Sequence, residues 1–392
     1  TLKEVAEKTN STIYRVVTGI PVGMLQLESA TGLTNVGDKG QEVGNRDVTR
    51  VLQAAIKSAV KDGRDPIAFL PSRFLIDGKT DVDDPRKMIA HSLAVRGILL
   101  TAPSDALHNI KKAIERAGYK NNFFVPTPLA IASVALDEGE RTFGSVILDL
   151  GGGTTTATVI HEGQIKYANI DLEGGSDISN DISVVLSTSK HDAEELKLDY
   201  GYADPSLASE KDKFAVNSVG SNGQQMVDEV YLSEIINARL MQIINRIGKG
   251  LNKTQALKLP GGIVITGGNS LLPGINNLVA NSLKVKARIY QPNQMGMQTP
   301  VFTAAFGIVN YVYNMSDIDF LANTAIYGGG VPTEEKQTSE TNTKNLKRND
   351  TSSEAEAKEA YNKSKMPRRA ESSEKNKNRT GSIKDFFKKF FD

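Results

Sequence analysis

The run Asp149-Leu-Gly-Gly-Gly-Thr-Thr155 places one carboxylate, three glycines and two threonine hydroxyls directly after the apolar stretch Val146–Leu148. Gly151, Gly152 and Gly153 let backbone amides approach an anion with no Cβ in the way. Thr154 and Thr155 add hydroxyl donors, and Asp149 can hold a divalent cation through water. This is the chemistry of a phosphate cradle. Two further glycine pairs extend it: Gly174 and Gly175 within Glu173-Gly-Gly-Ser-Asp177, and Gly267 and Gly268 shortly before Ser270. The latter pair lets the backbone lie flat against a nucleoside. Glu194 and Lys197 stand one helical turn apart and can flank a ribose or base. By residue type alone, a ligand-free glycine hairpin and a solvated Glu194–Lys197 face account for the same letters.

These residues need strands to carry them. Val146–Leu148 reads as a buried strand, Thr156–Ile160 as its return, and Gln164–Leu172 as a third strand after a turn at Glu162-Gly163. The first glycines therefore join strands of a meander, unlike the Walker loop or the dinucleotide fingerprint, in which they open a helix. A helix is expected over Ile178–Leu186, and Ile263–Ile265 is a second buried strand leading to the last glycine pair. Upstream, a strand over Thr12–Gly19 precedes a small α+β module. Its helix turns Val48, Val51, Leu52, Ala55 and Ala59 to one face, and its strands include Ile67–Leu70 and Arg73–Ile76, interrupted by Pro71. Thr127-Pro128 opens a further helix reaching Leu136. Downstream, strands over Lys213–Val219 and Gln224–Val230 join through Asn222-Gly223. The long helix that follows carries Leu232, Ile236, Leu240, Ile243 and Ile247 as its stripe, with Arg239 and Arg246 expected to face outward. A small-residue helix over Pro300–Tyr313 is expected to pack beneath the glycine-bearing lobe.

The chain has 392 residues, 39% of them hydrophobic, which is ample for cores. A net charge of +1 gives no field for nucleic acid, and the absence of cysteine removes disulfides and thiolate chemistry. His91, His108, His161 and His191 have no metal-ligand spacing. No stretch is long and apolar enough to span a bilayer. From about Gly328 the composition turns to Glu, Lys, Asn, Ser and Thr, so residues 328–381 read as a disordered linker. At the end, Ile383, Phe386, Phe387, Phe390 and Phe391 form one apolar helical face, with Lys384, Lys388 and Lys389 opposite. Such a helix is roughly 15 Å long, half a bilayer core, and lies on a membrane surface.

The order and spacing of the glycine motifs resemble the actin-like ATPase superfamily. Together with Ala193-Glu-Glu-Leu-Lys-Leu-Asp-Tyr-Gly201, Ile265-Thr-Gly-Gly-Asn-Ser-Leu-Leu-Pro-Gly274 and the tail, they resemble the FtsA family of bacterial cell-division proteins, of the Firmicutes type. The resemblance covers nearly all of residues 1–325. It implies an α/β, two-lobed actin-like ATPase fold with inserted subdomains and an incomplete N-terminal part: residues 1–21 and 99–142 as the first subdomain, 22–98 as an insertion, 143–189 and 259–327 as the second, and 190–258 as its insertion. The linker and the terminal helix at 382–392 complete it. The chain opens at Thr1 in mid-helix, and an upstream segment with a first Asp-x-Gly-Ser/Thr loop is expected.

By the same resemblance the cofactors are ATP and Mg²⁺, with Asp149 placing the metal and water. Subdomain 190–258, Arg239 included, receives the C-terminal peptide of FtsZ. Copies assemble into filaments, and later division proteins join at the septum on the cytoplasmic face of the cell membrane. The expected role is a nucleotide-dependent scaffold; hydrolysis stays open, as no first-loop aspartate is in the sequence. A pilus or cell-shape scaffold and a small-molecule phosphotransferase are the alternatives within the superfamily.

Overall fold

The computed structural model describes residues 2–218 and 224–328. The expected turn at Asn222-Gly223, the linker beyond Gly328 and the phenylalanine-faced tail lie outside the described residues. Leu2–Thr9 is a short helix with no buried residue, and the larger compact unit begins at Arg15.

At the centre is a five-stranded sheet in the order Gln164–Asp171, Thr155–His161, Ser145–Leu150, Ile263–Thr266, Ala287–Ile289. The first three strands form the antiparallel meander, and the last two join in parallel. Alternation within Ser145–Leu150 explains the continuous apolar run Val146–Leu148, because both faces are covered. Val146, Leu148 and Leu150 meet the helices Gly175–Val185 and Glu229–Lys253 in one core. Ile147 enters a second core with Leu129, Ile131 and Ala132 of the helix Thr127–Ala135. The stripe expected on the long helix is there, with Leu232, Ile236, Leu240, Ile243 and Ile247 all buried.

The upstream module is an antiparallel sheet in the order Gln26–Asn35, Ser92–Pro103, Arg64–Ile76, Thr80–Val82, with the helix Asn45–Ala59 packed on it. Two short strands expected around Pro71 are one strand, Arg64–Ile76. Bulges at Pro66/Ala68 and Pro71/Arg73 absorb the prolines, which have no amide to give the ladder.

The sequence reading keeps residues 259–327 beside the glycine-bearing lobe, and the structure divides their packing. Thr303–Tyr313 crosses Thr127–Ala135 at Gly307, where any Cβ would strike the Ala130 carbonyl. Asp317–Tyr327 sends Leu321 and Ala322 into the core of the upstream module, with Ile318, Ala325 and Ile326 alongside. Tyr327 completes the tie by donating its hydroxyl to the Ile67 carbonyl at 2.9 Å.

Candidate functional site

Three strand ends meet at Asp149, which lies opposite Thr156 on one side and Thr266 on the other. Its half-buried carboxyl has no protein hydrogen-bond donor among the described residues, and burial pushes its pKa up to about 6. Gly267, at φ +89°, allows this close approach, since a side chain there would overlap Asp149 and the Leu150 carbonyl. In the loop that follows, the Gly151 amide donates to the Thr154 carbonyl at 3.0 Å. The Gly151 and Gly152 carbonyls accept from the amides of Gly175 (3.1 Å) and Ser176 (2.7 Å). The amides of Gly152, Gly153 and Thr154 have no protein acceptor among the described residues. Gly152 and Gly153 are exposed, with open space where a Cβ would stand.

Asn269 is the residue that motif reading passes over. Buried beside the loop, its amide donates to Gly151 O at 2.6 Å and Leu150 O at 3.3 Å, and its side chain also fills the place of a Cβ at Gly175. A buried Asn after a glycine pair is the available signal. Two of the expected residues lie in protein surroundings of their own. Ser270 is buried and donates its hydroxyl to the Gly267 carbonyl at 2.7 Å, so it shapes the turn. Thr155 is buried within the ladder, which leaves Thr154 as the more accessible threonine. Gly268 remains open, with only Val301 near its missing Cβ.

Glu194 and Lys197 sit together but in different settings. Lys197 is 3% exposed; its ammonium donates to Gly175 O (3.0 Å), Ser179 Oγ (2.9 Å) and Glu194 Oε2 (2.7 Å). It therefore braces the start of Gly175–Val185. The Glu194 side chain is 45% exposed; burial works to raise its pKa, but hydrogen bonds from Lys197 and Ser179 outweigh this and lower it.

Arg239 departs from the outward-facing expectation. Its guanidinium forks onto Asp181 at 2.6 and 2.8 Å and reaches Glu173 at 2.8 Å. Arg246, two turns along the same helix, grips Asp171 at 2.6 Å and shares the Glu173 carboxylate. Arg239 is drawn onto carboxylates of the neighbouring loop and helix, whereas Arg246 stays exposed, as its off-stripe place leads one to expect, while still pairing with Asp171 and Glu173. Arg246 first, and Arg239 after it, hold the Glu173 carboxyl below the usual carboxylate range.

The donor set fits a phosphate-bearing ligand with a cation: three free amides in sequence, a lone carboxylate, and glycines that leave room. No group of three or more His, Asp or Glu able to hold a metal occurs among the described residues. Asp149 is the carboxylate at these strand ends that would face Mg²⁺, which ordinarily keeps several waters and phosphate oxygens as ligands.

A doubly covered sheet, strand ends converging on a glycine cradle, and inserted modules define the actin-like ATPase fold. A chain of a PilM–PilN type IV pilus biogenesis complex shares it, with a TM-score of 0.53 and 15% identity over 78% of this chain and 82% of that one. Family models described as "Cell division protein FtsA" and "SHS2 domain inserted in FTSA" match residues 146–307 and 23–101. Among relatives, cell division protein FtsA of Enterococcus faecalis is 38% identical over 100% of this chain and 86% of its own length. That of Enterococcus hirae is 40% identical over 83% of this chain and 74% of its own. The chain belongs to the FtsA family of cell-division proteins.

Proposed function

We propose that this chain binds ATP with Mg²⁺ in the glycine cradle, self-associates, and holds FtsZ filaments against the cytoplasmic face of the membrane at the division septum. The observation that carries the nucleotide reading is the row of unclaimed amides at Gly152, Gly153 and Thr154 beside the unpartnered carboxylate of Asp149. In this reading the three amides receive phosphate oxygens, and Asp149 holds the cation through water. The Gly267–Gly268 backbone lies along the nucleoside, and Glu194 offers its accessible carboxylate to sugar hydroxyls. The nucleotide, when bound, supplies negative charge that the amides and the cation offset. It acts as a conformational ligand through differential affinity for two arrangements of the cradle.

Residues 190–258 are the proposed seat of the FtsZ peptide. With Arg239 committed to Asp181 and Glu173, that side chain acts there by shaping the surface from beneath. Attachment falls to the tail: Ile383, Phe386, Phe387, Phe390 and Phe391 toward acyl chains, and Lys384, Lys388 and Lys389 toward anionic headgroups. No helix among the described residues is long and apolar enough to cross a membrane. Nucleotide titration tests the cradle: Mg²⁺-dependent ATP binding is expected in the parent and lost in Asp149→Asn. Binding indifferent to both Mg²⁺ and the substitution contradicts the assignment.

A further inference from the structure

Among the described residues no hydrogen bond joins the phosphate loop to the long helix directly, yet the loop is tied to it. Gly151 and Gly152 accept from the amides of Gly175 and Ser176, and Gly174 lies against the same two carbonyls, with a would-be Cβ 2.6 Å from each. That segment hangs between charged residues on either side: Asp171 and Glu173 before it, Asp181 after it. All three are gripped from Glu229–Lys253. Arg246 takes Asp171 through two nitrogens at 2.6 and 3.1 Å, Arg239 takes Asp181 at 2.6 and 2.8 Å, and both share Glu173 Oε2. Seven residues apart, the two arginines stand on one face of the helix. Asp171 is buried and Arg239 is 23% exposed, so these pairs are partly shielded from water, and two of them are two-pronged.

We infer that Arg239 and Arg246 are positioning residues for the phosphate loop: a clasp that fixes Glu173–Ser176, and through its amides the loop, to the long helix. The inference deepens the nucleotide reading and rests on it for the identity of the anion. Its consequence is linkage: whatever shifts the loop pulls on the long helix, and whatever shifts the helix alters the loop. The helix N-terminus continues straight from the strand Gln224–Asp228, with Asp228 capping it through the Tyr231 amide at 2.8 Å. A load on the antiparallel pair Lys213–Asn217 and Gln224–Asp228 is thereby conveyed toward the cradle, and the coupling is reciprocal.

The test is amide hydrogen exchange at Gly175 and Ser176 in the full chain, for the parent, Arg239→Gln/Arg246→Gln, and Glu173→Ala. The clasp predicts exchange at these two amides faster by about tenfold or more in both variants, with amides of Ile263–Thr266 unchanged. Arg239→Lys/Arg246→Lys, which keeps the charge, restores part of the protection. Titration of the same variants with ATP and Mg²⁺ is expected to show affinity weaker by about tenfold. Parent-like exchange at Gly175 and Ser176 overturns the inference, and so does a uniform rise across the sheet, the mark of general destabilisation. Should the double arginine variant fail to fold, Glu173→Ala decides by the same two amides. A parent that binds no ATP overturns the nucleotide reading instead; the exchange comparison needs no nucleotide and still judges the clasp.

Discussion

Asp149 occupies a position that is costly without a ligand. Its pKa is raised from 3.8 to about 6 by burial, so the folded chain retains a proton that the unfolded chain releases. Stability from this group is present at low pH and falls as pH rises from about 4 through 6, by at most about 3 kcal/mol. Asp149→Asn is therefore expected to raise the melting temperature of the nucleotide-free protein at pH 7, with the gain shrinking as pH falls from about 6 and gone below about pH 4. Paired melts across that range check it; a variant no more stable than the parent at pH 7 contradicts the burial argument. Gly174 makes the opposite case. A methyl group there would press on the carbonyls of Gly151 and Gly152, so Gly174→Ala should cost about 1–3 kcal/mol and weaken ATP binding with it. Parent-like affinity in a folded Gly174→Ala protein would show that the loop relaxes freely.

Strands were the most legible elements, because Ser145–Leu150, Thr155–His161 and Ile263–Thr266 are short apolar runs punctuated by glycines. The glycine loop after Asp149 was legible for the same reason, as glycines closing an apolar strand, although those letters suit a ligand-free turn equally well. What the letters left out was partnership over long separations. The stripe of Glu229–Lys253 marks Arg239 and Arg246 as off the apolar face, but nothing local reveals that Asp171, Glu173 and Asp181 wait there. Lys197 reads as a surface lysine until Gly175, Ser179 and Glu194 close around it. The helix Asp317–Tyr327 was not among the expected elements, and its partner helix, Asn45–Ala59, lies far upstream. Leu321→Ala should consequently lower stability by about 2–4 kcal/mol and speed amide exchange in Asn45–Ala59. Loss confined to the final helix, with Asn45–Ala59 protected as before, would argue that the two are not one core.

At the scale of the whole molecule, the described body and the tail divide the labour. The body carries the cradle, the clasp and the strand pair Lys213–Asn217 and Gln224–Asp228, and the 382–392 segment carries the apolar residues proposed for lipid. In the proposed reading one copy of this segment binds a bilayer reversibly, because half its surface stays in water and its ordering must be offset. Several copies in one filament bind far more tightly through effective concentration. On that proposal, self-association and attachment are the same event seen at two scales.

The most direct test is sedimentation of FtsZ with vesicles containing anionic lipid, in the presence of ATP and Mg²⁺, with the parent and with Phe386→Glu/Phe390→Glu. The account predicts that the parent carries FtsZ into the pellet and that the variant leaves both proteins in solution. Parent protein on the vesicles with FtsZ still in the supernatant, or a variant that pellets as well as the parent, would contradict it.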